Sequence, residues 1–372
     1  MKIAIGATLH KKINKDSNGG TEMFAYILGS ELGKKGHEST FFATSDSLIE
    51  GKLFPIAAEE EINKTEQNQR LFYGYQLLES SLITEKQDEF DVIHINYFEP
   101  FLFAPFSKLI KKPVVFTIHS DLLISPAWQS LMIKSLKRSD KLVFVSKSAL
   151  SQASHLTNAT YIYNGIDIGQ FPYSDNHDDF LFWIGRVRRK KGIKEAVEAA
   201  RMSQKKLILS GVVDSLEGKL FYKNEVESQV RSDNMIKFMG PADFNSKIKL
   251  YQKAKAFVFP VGWEEPFGLT IIEAMACGTP VIVFARGSIP EIVKDGVTGF
   301  IVNSSDNDVR GEYIVKKAGV DGLKEAIDRL YGLDPKEYKK MSEACRKSVE
   351  NNFTSTIMAN NYEKLYRETY QI

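Results

Sequence analysis

The sequence predicts an α/β protein of two doubly wound parallel sheets, and three observations carry that expectation. Short apolar runs rich in Val, Ile and Phe alternate along the chain with longer segments of helical period. The runs are nearly continuous rather than alternating with polar residues, as in strands covered on both faces. They fall into two sets, and 372 residues make two domains of ordinary size.

The first set is KIAIGA (2–7), STFFAT (39–44), DVIHIN (91–96), PVVFTIH (113–119), KLVFVS (141–146) and TYIYNG (160–165). The second is FLFWIG (180–185), KLILSG (206–211), IKFMG (236–240), AFVFPV (256–261), PVIVF (280–284) and GFIV (299–302). Between them PYSDNHDD (172–179) is the most polar break, so the expected domains are 1–173 and 174–353. The last stretch, 354–372, carries Ile357, Met358, Tyr362, Leu365 and Tyr366 near helical spacing, with Thr354 or Ser355 as cap. It predicts a helix that needs a surface to pack on.

Composition narrows the function. A hydrophobic content of 43%, a charged content of 26% and a formal net charge of +2 point to a globular protein with no bulk polyanion partner, hence no nucleic acid. MKIAIGATLH is too short an apolar run for a signal peptide, and no run approaches the roughly 20 residues of a membrane span, so a cytoplasmic address is expected. Cys277 and Cys345, the two cysteines, lack metal-like spacing and read as reduced small side chains. The sequence carries no signal for an oligomeric state.

In open α/β sheets ligands gather at the carboxyl ends of strands and at helix N-termini. WEEPFGLTIIEAMACGTPVI (263–282) follows one such end: strand, loop, then a helix from about Gly268 to Ala276 that Gly278 terminates. Gly268 lacks the Cβ that would hold a ligand away, and the amides of Leu269 and Thr270 are first-turn donors at the positive end of the helix dipole. They suit a phosphate. Glu265 and Glu273 flank that point and would accept hydrogen bonds from hydroxyls. A diphosphate with a polyhydroxyl group at each end, a nucleotide sugar, satisfies all these groups together. The alternative is a solvated loop acid and an exposed helix acid.

The pattern E-P-F-G-L-T-I-I-E, with CGTPVI and RGSIPEIVKDGVTGF after it, resembles the signature of family 4 glycosyltransferases. The resemblance implies the GT-B fold: two Rossmann-like domains facing a cleft, with the C-terminal helix crossing back to the first domain. It also implies a retaining transfer from a nucleotide diphosphate sugar. Glu265 would then contact sugar hydroxyls, Glu273 the ribose, and the backbone from Phe267 to Thr270 sugar and diphosphate oxygens. In FLFWIGRVRRKKG (180–192) the resemblance selects Arg186 and Lys191, out of Arg186, Arg188, Arg189, Lys190 and Lys191, to neutralise the leaving diphosphate. It sets the nucleotide base near Gly211 and Met239.

In the first domain SNGGTEMFAYILGSELGKKGH (17–37) opens a helix at Gly19 and Gly20, with Leu28 and Leu32 on its apolar side. Neither G-x-G-x-x-G nor a Walker lysine is present, which disfavours nicotinamide and ATP. The resemblance makes this the glycine-rich loop beside diphosphate and acceptor, with Glu22 on the acceptor side. His119, ahead of Ser120-Asp121, matches the family histidine that touches the transferred sugar, and His94 is a lower-ranked acceptor-side candidate. Ser146 and Asn164 to Asp167 match structural landmarks, Asn164-Gly165 reading as a turn.

No acid presents itself for double displacement, so a front-face substitution is expected, in which the leaving diphosphate takes the acceptor proton. No cofactor is expected beyond the nucleotide-sugar cosubstrate, and no metal: Asp306-Asn307-Asp308 reads as a helix cap rather than a metal motif. Sugar, glycan, lipid-linked and small-molecule acceptors all stay open. KLIKK (108–112) with Lys134, Lys137, Arg138, Leu131, Ile133 and Leu136 forms either a basic apolar surface for peripheral membrane contact or solvated helix faces over a core. UDP-glucose is the first expected donor and GDP-mannose the second. The alternatives are an epimerase or a phosphorylase of the same fold, or a binding protein without turnover.

Overall fold

The computed structural model describes residues 1–371 apart from 18, 64–68, 121–125 and 154–155. The chain divides into two compact units, Met1–Gly165 with Ser355–Ile372, and Ile166–Thr354.

The first unit holds a seven-stranded sheet of β1 (Lys2–Ala7), β2 (Glu38–Ala43), β3 (Lys52–Pro55), β4 (Val92–Asn96), β5 (Val114–Ile118), β6 (Lys141–Phe144) and β7 (Ala159–Tyr161). The order is β3-β2-β1-β4-β5-β6-β7 and every pairing is parallel. The order reverses between β1 and β4, so the loops after Ala7 and Asn96 open on the crevice where such sheets take ligands. Strand β3 has no counterpart among the apolar runs. Its residues KLFP are all at least partly exposed at the sheet edge, and Pro55 ends it, so little burial marks it in the sequence.

The helix Ser355–Tyr370 belongs to this unit. Its Met358, Ala359, Tyr362 and Tyr366 are buried in one core cluster with Ile3, Ile5 and Leu28. Full burial of a side chain such as Met358 stabilises by roughly 1.5–3 kcal/mol, and with Tyr362 and Tyr366 beside it this holds the 16-residue helix against the sheet.

The second unit holds a six-stranded sheet of β8 (Leu181–Arg186), β9 (Leu207–Val212), β10 (Ile236–Phe238), β11 (Ala256–Phe259), β12 (Val281–Phe284) and β13 (Gly299–Val302). Its order, β10-β9-β8-β11-β12-β13, reverses between β8 and β11, again with parallel pairing throughout. Residues 166–173, read from the sequence with the first domain, pack in this unit instead. Phe171 meets the edge of Phe244 with ring centres 5.8 Å apart, Gln252 Nε2 donates to Pro172 O at 2.8 Å, and Arg346 Nη1 to Phe171 O at 2.6 Å. Polarity misplaced the boundary because the apolar anchor Phe171 precedes the polar break.

Asn164-Gly165 is not a turn: the segment runs irregularly from β7 to a parallel bridge between Ile166 and Thr354. On the basic face of the first unit, Lys108 Nζ donates to Lys134 O at 2.5 Å and Lys137 Nζ to Ile110 O at 2.8 Å, while Leu136 packs into the core. Leu131 and Ile133 stay exposed. Among the described residues no helix is long and apolar enough to cross a membrane.

Candidate functional site

In the second unit the reversal of strand order sets the loop after β8 beside the loop after β11. The first of these carries five positive charges, and the structure sorts them. Arg188 pairs with Asp214 at 3.0 Å and with Glu217 at 3.3 Å, and Arg189 is held by Glu225. Lys190 lies over the Trp263 ring, 4.2 Å from its centre. Arg186 is largely exposed, with Asp214 at 3.7 Å as a loose partner. Lys191 turns inward: its Nζ is 2.8 Å from Glu265 Oε2, 4.5 Å from the Trp263 ring centre and 5.6 Å from that of Phe259. The two residues expected at the diphosphate are therefore the loosely paired arginine and the lysine joined to Glu265.

Backbone geometry fixes that lysine. Gly192 has φ 72°, and a Cβ there would fall 1.9 Å from the Pro260 carbonyl oxygen, so only glycine lets the basic loop close onto the end of β11. Trp183 Nε1 donates to Lys191 O at 3.1 Å, and Gly262 N to Lys190 O at 2.9 Å.

Glu265 is buried, 8% exposed, and its backbone is clamped: its carbonyl oxygen accepts from Ser288 N at 2.9 Å and from Ser288 Oγ at 3.0 Å. The helix that follows spans Leu269–Ala276, with Gly268 as N-cap at φ 85° and no side-chain cap. Its first amides, on Leu269 and Thr270, have no partner within the helix. Phe267 is buried with its ring edge-on to Phe353, so it offers the site only backbone. One turn in, Glu273 receives Lys247 Nζ on Oε1 and Tyr251 OH on Oε2, both at 3.0 Å. Burial and the adjacent carboxylate push the Tyr251 hydroxyl well above its usual pKa, so it stays a donor. An ionised carboxylate has about four acceptor positions, so two remain on Glu273 for ligand hydroxyls.

The base-side candidates are less committed to a ligand. The Gly211 amide already donates to Gly240 O at 2.9 Å, and a Cβ on Gly211 would come 2.9 Å from Gly185 O, so this glycine serves close strand approach. Met239 donates its amide to Leu209 O and leaves its side chain exposed.

Glu264, beside Glu265, belongs to a square of charges that the sequence did not reveal. Arg286 reaches it at 3.2 Å and Arg310 at 2.9 Å, and Asp308 binds the same two arginines at 2.6 and 2.5 Å. Asp308 is thus no helix cap. It lies in a loop before the helix Gly319–Tyr331, and the Arg310 hydrogen bond holds its carboxyl below the usual range.

In the first unit the helix Gly20–Lys34 starts at the reversal point, with Gly19 buried as N-cap and Gly20 exposed. Glu22 folds back over that start: its Oε2 sits 1.8 Å from where a Cβ on Gly19 would be. It is 6% exposed, which makes it a residue of the helix start more than an acceptor contact. His119 follows β5 and is half-buried; its Nε2 donates to Asn96 Oδ1, and Asn96 Nδ2 donates to Thr21 O at 3.1 Å. Asn96 thereby fixes the tautomer, leaving Nδ1 as an acceptor. Burial lowers the His119 pKa to about 3, so the ring is neutral. Asp121, its neighbour in the sequence pattern, lies outside the described residues.

His94 is corrected. It is fully buried, with Nε2 2.7 Å from Thr117 Oγ1, Nδ1 2.7 Å from Tyr366 OH, and its ring stacked on Tyr362. It bonds the sheet to the C-terminal helix and cannot reach an acceptor. His10, which no motif singles out, lies exposed after β1, stacked on Phe72 and 3.3 Å from Glu99.

Comparison with known proteins accords with this arrangement. A model described as glycosyl transferases group 1 matches residues 170–348, and one described as Glycosyltransferase Family 4 matches 18–170. The chain is 25% identical to N-acetyl-alpha-D-glucosaminyl L-malate synthase of Bacillus anthracis, over 98% of this chain and 97% of that one. Among solved structures it resembles sucrose-phosphate synthase of Thermosynechococcus elongatus, with TM-score 0.78, 21% identity and coverage of 100% and 99%. It also resembles Anabaena HepE in complex with UDP-glucose, with TM-score 0.71, 18% identity and coverage of 99% and 100%. Two matched models in tandem, the two reversed-order parallel sheets and the clustered signature residues give one conclusion: the chain belongs to the family 4 type of GT-B glycosyltransferases.

Proposed function

We propose that the protein transfers a hexosyl group from a UDP-sugar, UDP-glucose first and a GDP-sugar such as GDP-mannose second, to an acceptor hydroxyl with retention and without metal. The observation that carries this reading is the contact of Lys191, in the loop after β8, with Glu265, just ahead of the Gly268-capped helix that bears the Leu269 and Thr270 amides and Glu273; Arg186 ends β8 itself. In the proposed roles the amides and the two cations take the diphosphate, Glu273 the ribose hydroxyls, Glu265 the sugar hydroxyls, and the backbone near Gly211 and Met239 the base. Anabaena HepE, whose fold this chain shares, was solved with UDP-glucose, which supports the donor choice.

The chemistry follows from charge. As the anomeric bond breaks, the diphosphate gains negative charge, and preorganised donors at that point lower the barrier. The departing phosphate oxygen takes the proton of the incoming hydroxyl on the same face, so neither a carboxylate nucleophile nor a metal is required. In the first unit neutral His119 can accept a hydroxyl hydrogen bond at Nδ1 without adding charge.

The test is slow hydrolysis of UDP-glucose in EDTA followed by proton NMR. Release of α-glucose ahead of mutarotation supports retention and metal independence. Release of β-glucose, or activity only on adding a divalent cation, overturns the corresponding part.

A further inference from the structure

We propose that Trp263 is a positioning residue of the donor site, tying Lys191 and Glu265 into the one arrangement in which both face the substrate. The inference rests on the donor reading above.

Trp263 lies two residues before Glu265 and touches three charged groups at once. Its Nε1 donates to Glu265 Oε2 at 2.9 Å, the same oxygen that binds Lys191 Nζ at 2.8 Å. Its ring lies 4.5 Å from Lys191 Nζ and 4.2 Å from Lys190 Nζ. The negative ring face offsets the repulsion of two adjacent ammonium groups. The indole N–H supplies a charge-assisted bond to a buried carboxylate that would otherwise depend on one lysine.

The two donors share a single oxygen. Among the described residues no hydrogen bond reaches Glu265 Oε1, and that atom is not sealed in the interior. The indole therefore decides which carboxylate oxygen is spent inside the protein and which is offered outward. Lys191 is pinned by its carbonyl to Trp183 and by its ammonium to Trp263 and Glu265, so its charge has little freedom to swing. Removing the indole N–H lets the Glu265 carboxylate rotate, and removing the ring also exposes the two lysines to each other.

The two losses separate experimentally. Trp263→Phe keeps an aromatic face and loses the N–H. It should bind the nucleotide, UDP in the first instance, within about threefold of wild type, while kcat for hydrolysis of the nucleotide sugar falls about tenfold or more. Trp263→Leu should lose both, weakening nucleotide binding as well. A merely structural role would move thermal stability and all constants together; a kcat loss at unchanged nucleotide affinity and Tm would not come from that. If the wild-type protein binds none of UDP, GDP, ADP and dTDP, the donor reading falls and this inference with it. If it binds one, and Trp263→Phe turns over the matching sugar nucleotide at the wild-type rate, the donor reading stands and the role of Trp263 is overturned.

Discussion

Lys191 and Glu265, 74 residues apart in sequence, meet at 2.8 Å with side chains only 19% and 11% exposed. Such a pair is expensive to break from one side, because the survivor keeps its desolvation cost without its partner. Lys191→Ala should therefore lower Tm and reduce turnover by about 10²- to 10³-fold, the range found when a preorganised donor is removed from a developing oxyanion. Adding Glu265→Gln to it should restore much of the Tm and none of the turnover. Calorimetric unfolding beside a donor-hydrolysis assay checks both halves.

Glu273 serves binding more than chemistry in this account. Glu273→Ala strands Lys247 and Tyr251 and removes the ribose acceptor, so nucleotide affinity should fall about tenfold, roughly one charge-assisted hydrogen bond, with kcat changed less. Isothermal titration with the preferred nucleotide, compared with kcat at saturating donor, measures the split.

Gly268 holds φ 85°, and a Cβ there would sit 3.0 Å from Ile271 Cδ1. The left-handed conformation costs a residue with a Cβ about 1–2 kcal/mol, so Gly268→Ala should lower Tm and tilt the first-turn amides away from the phosphate. Gly192→Ala should cost more, since its Cβ would meet the Pro260 carbonyl oxygen at 1.9 Å. Thermal unfolding and nucleotide titration of the two variants give the ranking, and equal behaviour would contradict it.

Acidification should loosen the first unit. Burial lowers the pKa of His94 to about 3, below the 6.5 of an unfolded chain. Between those values the unfolded state binds more protons, so stability is full above pH 6.5 and is lost as pH falls through the window toward 3. The slope from one such group is at most about 1.4 kcal/mol per pH unit. Because His94 bonds Tyr366, His94→Gln should give a lower Tm at pH 7 with a flatter pH dependence between 6 and 4.

Strand runs and the order of chemistry along the chain were legible because burial on both faces leaves long apolar signatures. β3 escaped because an edge strand of KLFP buries little. Glu265 and Glu273 stood out by their places around a helix start and Lys191 through the family resemblance, yet neither signal shows partners. Asn96, which orients His119, and Lys247 with Tyr251, which hold Glu273, lie on neighbouring strands and helices whose contact only the fold creates. His94 misled for the same reason: it sits mid-strand, and its partners Thr117 and Tyr366 come from β5 and the far end of the chain. Asp308 read as a cap because Arg286 and Arg310 become its partners only when the loops fold together.

The central claim is a nucleotide diphosphate site at the strand reversal of the second unit, and calorimetric titration of the full chain with UDP, GDP, ADP and dTDP in EDTA tests it most directly. Saturable binding of one nucleotide, UDP first, weakened about tenfold in Glu273→Ala, is the expected result. Binding of none of the four, or binding that Glu273→Ala leaves untouched, would contradict it.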